Sequence, residues 1–131
     1  MALLNVTQVA TRLVEATKGN IFFTADRDYW VKSIRIIKSG DSAATEIMVE
    51  KLNDGDVAGA GTDLLAAAQD LSTTPDNRKV YDQTLTPTLA ERQILAGQSL
   101  GTNTVGVTNT VVGEVLIQVT LASTSDAAKV G

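Results

Sequence analysis

The sequence predicts an all-β chain: an antiparallel β-sandwich, jelly-roll-like, with an N-terminal arm or edge strand. Three observations carry this prediction. In Glu114–Leu121, the apolar residues Val115, Ile117, Val119 and Leu121 alternate with Leu116, Gln118 and Thr120, the period of a pleated strand. The chain is rich in Thr, Ala and Val, with 17, 16 and 14 of each, and the β-branched Thr and Val suit a pleated strand. Turn signals recur at short intervals, while the repeated amphipathic helices that a doubly wound fold requires are missing. At 131 residues the chain suits one domain.

Taken in chain order, residues 1–17 read as an arm or first strand, through Leu4, Val6, Val9, Leu13 and Val14. Gly19 to Thr24 holds Ile21, Phe22 and Phe23 and stops at the turn Asp26-Arg27-Asp28. Tyr29 to Lys38 follows, with Trp30, Lys32, Ile34 and Ile36 on one face and Val31, Ser33, Arg35 and Ile37 on the other. Gly40-Asp41-Ser42 breaks that run. Thr45 to Leu52 is its partner, with Ile47 and Val49 opposite Met48 and Leu52, and it ends at Asn53-Asp54-Gly55-Asp56. Arg78 to Thr84 and Gln98 to Thr104 are shorter strands. Thr62 to Asp70 is open between helix, favoured by Ala66-Ala67-Ala68, and a tight sandwich interior. Leu89 to Leu95 is equally open. Residues 19–122 make the expected sandwich and 123–131 a loose tail.

Two absences shape the functional reading. The chain has no cysteine, so disulfides, thiolate nucleophiles and thiolate metal sites are excluded. It has no histidine, which removes the usual general base and the commonest metal ligand. An enzyme would have to work with Asp, Glu, Lys, Tyr or Ser; no catalysis and no cofactor are expected. Net charge is −4, against nucleic-acid binding. No run approaches the roughly 20 apolar residues of a membrane helix. The N-terminus has no basic leader, so synthesis in the cytoplasm is expected.

Several local clusters invite a chemical reading, and each has a plainer one. Asn53-Asp54-Gly55-Asp56 holds alternate oxygen ligands suited to Ca²⁺ but lacks the distal glutamate, and a hairpin turn explains it better. Gly59-Ala60-Gly61-Thr62-Asp63 lacks the Lys-Ser/Thr ending of a phosphate loop; glycines there suit a close pass beside another strand. Arg27, Lys32, Arg35 and Lys38 beside Tyr29 and Trp30 could stack on nucleic acid, yet a solvated strand face accounts for them. Trp30, the single tryptophan, is expected in the core rather than as a sugar platform. Glu46, Glu50 and Glu114 are the carboxylates a glycosidase would pair, and their alternation puts them in solvent. Leu3, Leu4, Val6 and Val9 are the candidate partner-binding residues, because an N-terminal arm can add its strand to another sheet.

Four stretches in order carry a resemblance. Ile21-Phe22-Phe23-Thr24-Ala25-Asp26 leads into Tyr29–Lys38, and Val49-Glu50-Lys51-Leu52-Asn53-Asp54-Gly55 closes the next strand. Gly59-Ala60-Gly61-Thr62-Asp63-Leu64-Leu65 follows, then Leu85-Thr86-Pro87-Thr88 with Leu95-Ala96-Gly97-Gln98-Ser99-Leu100-Gly101. A Gly-led strand, Gly113 to Leu121, completes the order. Over residues 19–121 the chain resembles the decoration, or cement, proteins of tailed-bacteriophage capsids, with Gln98 where that pattern has an acid. The resemblance implies a jelly-roll-like sandwich on the outside of the virion head, bridging subunits of the major capsid protein as a homo-oligomer, a dimer being expected. The alternative is a carbohydrate-binding module of a tail or fibre.

Overall fold

The computed structural model describes residues 6–14, 19–42, 45–72, 77–106 and 112–123. Among the described residues, ten strands run in chain order: β1 (Val6–Val14), β2 (Gly19–Thr24), β3 (Tyr29–Lys38), β4 (Thr45–Leu52), β5 (Thr62–Asp63), β6 (Gln69–Asp70), β7 (Tyr81–Asp82), β8 (Gln93–Ile94), β9 (Ser99–Gly106) and β10 (Glu114–Ser123). A 3₁₀ turn, Leu89–Arg92, precedes β8. Thr62–Asp70 is therefore extended rather than helical. Backbone pairing with β4 overrides the local preference of its alanines.

Two antiparallel sheets result. The first has the order β1-β10-β3-β7, with β8 also on β3; the second has β2-β9-β4-β5, with β6 also on β4. Counting β5/β6 and β7/β8 as one interrupted strand each gives the order 1-8-3-6 over 2-7-4-5. That is the jelly-roll winding, two Greek keys folded over each other. One lateral side is sewn shut: Leu65 bridges Leu85, Ala66 N–H donates to Thr84 O at 2.9 Å and Thr86 N–H to Leu64 O at 2.8 Å.

The core lies between the sheets. Leu13, Ile34, Ile36, Ile47, Val49, Leu100, Val115, Ile117, Val119 and Leu121 are all fully buried. Each such side chain stabilises the fold by about 1.5–3 kcal/mol relative to exposure. The β10 alternation appears as read, with 115, 117, 119 and 121 inward.

The β3 faces differ from expectation. Thr120 sits opposite Ser33 but Leu121 opposite Val31, so Lys32 is an extra residue on β3. This bulge flips the phase. Tyr29 and Val31 face inward on one side of it, and Ile34, Ile36 and Lys38 on the other. Arg78–Thr84 shortens to a turn at residues 77–78 and the two-residue β7. The N-terminal segment is a strand over Val6–Val14, paired along its whole length with β10. The sandwich thus begins before residue 19 and runs to Ser123; residues 124–131 lie outside the described residues.

Candidate functional site

The outward face of the first sheet is built by register. Rows of neighbours cross it: Val6–Ala122–Trp30–Gln93, then Gln8–Thr120–Ser33, then Ala10–Gln118–Arg35–Asp82, then Arg12–Leu116–Ile37. Trp30 lies between inward-facing Tyr29 and Val31, so it points away from the core and is half-buried. This corrects its expected core position. Ala122 is 4 % exposed yet outside the core cluster, as a small side chain between larger outward neighbours should be.

Polarity is graded along this face. The first two rows are uncharged, apart from the exposed, bulged Lys32. Charges collect at the other end, where they pair: Arg35 Nε to Asp82 Oδ1 at 2.9 Å, and Arg12 to Glu114 at 3.6 Å. Both pairs are exposed and contribute little to stability. Their effect is to neutralise that end. A shallow groove beside Arg12, Ile37, Arg78, Glu114 and Leu116 closes it.

The expected partner-binding residues divide. Val6 is 63 % exposed on the outer face, whereas Val9 is half-buried and packs against the core. Leu3 and Leu4 lie outside the described residues. The basic set Arg27, Lys32, Arg35 and Lys38 does not form one surface. Arg27 pairs with Asp26, Arg35 with Asp82, and Lys38 is inside, its ammonium bound to Asp41 Oδ1 at 2.6 Å and Asn77 Oδ1 at 3.0 Å. Tyr29 donates its hydroxyl to Asp26 Oδ1 at 2.6 Å. That bond holds the Asp26 carboxyl below its ordinary range and raises the Tyr29 phenol. Phe23 meets Tyr29 edge-on at 5.6 Å, fixing the ring from inside.

The carboxylates are separated by environment. Glu46 and Glu114 are exposed as expected, but Glu50 is 1 % exposed. The loop after β4 folds back over it, and Gly59 N–H donates to Glu50 Oε1 at 2.9 Å. Asn53–Asp56 is a turn closed on itself, Asp56 N–H to Asn53 O at 3.0 Å and Asn53 N–H to Asp56 Oδ2 at 2.9 Å, with Gly55 at φ +91°. Gly61 passes so close to β4 that a Cβ there would lie 2.5 Å from Lys51 O. Gln98, where the resemblance has an acid, makes two hydrogen bonds: its Oε1 accepts Leu95 N–H at 2.8 Å and its amide donates to Asn53 Oδ1 at 2.8 Å.

Among the described residues no helix is long and apolar enough to cross a membrane. Comparison with protein-family models, with curated proteins and with solved structures returned no match.

Proposed function

We propose that this protein decorates the outside of a tailed-phage capsid and stabilises it by bridging neighbouring major capsid subunits, without catalysis. The observation that carries the reading is the outward face of the first sheet. It is a row-built surface with Val6, Trp30 and Ala122 at one end, Lys32 as the single charge of its first two rows, and ion-paired Arg12 and Arg35 at the other end. Such a surface buries readily against another protein, since it has few charges to desolvate. The residue resemblance over 19–121 supplies the identity of the partner. Jelly rolls recur in capsid and lectin domains, so the winding accords with this reading by analogy alone.

Its mechanism is adhesive. A standard contact buries on the order of 1,600 Å² in total. A dimer holding two capsid sites gains about 10²-fold or more in avidity over one contact. The test is addition of purified protein to undecorated heads: binding in many copies with raised resistance to heat or low salt is expected. Heads that neither bind nor gain resistance refute the proposal.

One observation favours a second reading, sugar binding by a tail or fibre module: Trp30 stands on a surface beside Gln93 rather than in the core. Signal on a glycan array that Trp30→Ala abolishes would establish it, and an array at background would dispose of it.

A further inference from the structure

The four lateral edges of the sandwich are not treated alike. The β7/β8 edge is cut into two-residue pieces, as is the β5/β6 edge, and the bridge Leu65–Leu85 joins them. The β2 edge is bulged: Ile21 pairs with Gly101 and Phe23 with Leu100, leaving Phe22 as the extra residue. Interruption, bulging and covering are the ordinary ways a sheet prevents edge-to-edge association.

Among the described residues, β1 has none of them. It pairs with β10 over nine residues in unbroken register, Val6↔Ala122 to Val14↔Glu114. No proline, glycine or charge occurs from Val6 to Thr11; Arg12 is the first charged side chain of the sequence. Beyond its ladder with β10, β1 makes no backbone hydrogen bond among the described residues. Its C-terminal half is flanked by β2, where the Asn20 amide donates to Thr11 Oγ1 at 2.6 Å. Residues 6–10 are clear of β2's side-chain bonds, and Val6 is 63 % exposed.

We infer that β1 pairs antiparallel with β1 of a second copy about a twofold axis at Gln8, joining the two first sheets into one. This rests on, and specifies, the self-association within the proposed function. The register is self-complementary. Val6 meets Ala10 on the outer face, Thr7 meets Val9 on the inner, and Gln8 meets its own symmetry mate. Same-face residues stay on the same face because the pairing preserves parity. No like charges oppose each other, and the two Arg12 side chains fall well apart. A second copy fits better than an unrelated strand because the uncharged run matches itself and twofold closure leaves no further free β1 edge. The outer faces then lie side by side, each presenting Trp30.

The test is sedimentation of the full chain over a concentration series, without capsids. The wild type is expected to dimerise. Gln8→Lys places two ammonium groups across the axis and should weaken the dimer at least about tenfold; Gln8→Glu should do the same. Mixing the two variants should restore a heterodimer, while Ala60→Lys, on an exposed turn, should leave dimerisation unchanged. A wild type that stays monomeric, a dimer unaffected by Gln8→Lys, or a mixture that does not re-associate overturns the inference. Capsid add-back is read separately: a dimer that ignores heads sinks the decoration reading and leaves the pairing standing.

Discussion

Lys38 is buried at the end of β3 with its ammonium 2.6 Å from Asp41 Oδ1, although the Asp41 side chain is itself 58 % exposed. Three segments meet on this one charge, since Ser72 O at 3.4 Å and Asn77 Oδ1 at 3.0 Å also accept from it. Removing the carboxylate strands a buried cation, whereas replacing the cation with an apolar chain of similar length strands nothing charged. Asp41→Ala should therefore cost about 1–3 kcal/mol and exceed the cost of Lys38→Met. Denaturant midpoints at constant slope give the ranking; the reverse order would show that Lys38 acts through its neutral acceptors.

A second clamp ties the two sheets near their open edge. Asn20 donates to Thr11 Oγ1 on β1 and accepts from Thr102 Oγ1 on β9 at 2.7 Å. Both threonines are buried. Asn20→Ala removes the Thr11 hydroxyl's partner and leaves Thr102 Oγ1 only the Asn20 backbone N–H at 3.2 Å, and should cost about 1–2 kcal/mol. Asn20→Asp should recover part of this in chemical denaturation at neutral pH, since either hydroxyl can rotate to donate to a carboxylate. Equal losses for both variants would discount the bridge.

What could be read from the residues follows from how local each signal is. The alternation in β10 is contained in its own segment and appears as expected, whereas in β4 Met48, Glu50 and Leu52 are buried along with Ile47 and Val49. The phase of β3 is not local: the extra residue at Lys32 exists only relative to β10, so Trp30 and Val31 exchange faces. Glu50 reads as solvent-facing by alternation and is buried by a loop that returns over it. Lys38 carries a faint signal, since it continues the parity of Ile34 and Ile36 and precedes Gly40-Asp41. The sequence shows β1 as an arm or edge strand able to add to another sheet, but its contrast with three blunted edges exists only in the sheet order.

The close pass of Gly61 beside β4 has a measurable consequence. A Cβ there would lie 2.5 Å from Lys51 O and 2.6 Å from Leu52 Cδ2, while one at Gly101 would meet Leu52 Cδ1 at 2.7 Å. Gly55 has open space, and its only obstacle is φ +91°. Gly61→Ala should destabilise by about 1–3 kcal/mol through overpacking. Gly55→Ala should cost about 1–2 kcal/mol from backbone strain alone. Repacking room created by Leu52→Ala should lessen the side-chain clash at Gly101 but not the backbone clash at Gly61, a difference that double-mutant cycles resolve.

Acid should act through Asp70. Ser72 donates its backbone N–H at 2.9 Å and its hydroxyl at 2.7 Å to Asp70 Oδ1, and with the nearby Lys38 these outweigh burial and lower the carboxyl's pKa. A depressed folded pKa gives stability that is present above the unfolded value, roughly 3.9, and is lost as pH falls through the folded one. Stability should thus hold between pH 5 and 8, where no histidine titrates, and fall below about pH 4. Asp70→Asn should flatten that acid limb, and Ser72→Ala should raise the Asp70 titration seen by NMR. An acid limb unchanged in Asp70→Asn would assign it to other carboxylates.

Trp30 is the single tryptophan and sits half-buried on the outer face, in register with Ala122 and Gln93. Its fluorescence therefore reports that face alone. Water beside the indole should place its emission to the red of a core tryptophan, and contact with a capsid subunit should remove that water and shift emission to the blue. Because the ring lies outside the core cluster, Trp30→Ala should cost less than the roughly 3–5 kcal/mol of a core aromatic truncation. It should nevertheless weaken head binding at least about tenfold, as an aromatic anchor at the centre of a contact does. Head binding that leaves the emission unmoved, together with undiminished affinity of Trp30→Ala, would transfer the capsid contact to another surface of the sandwich.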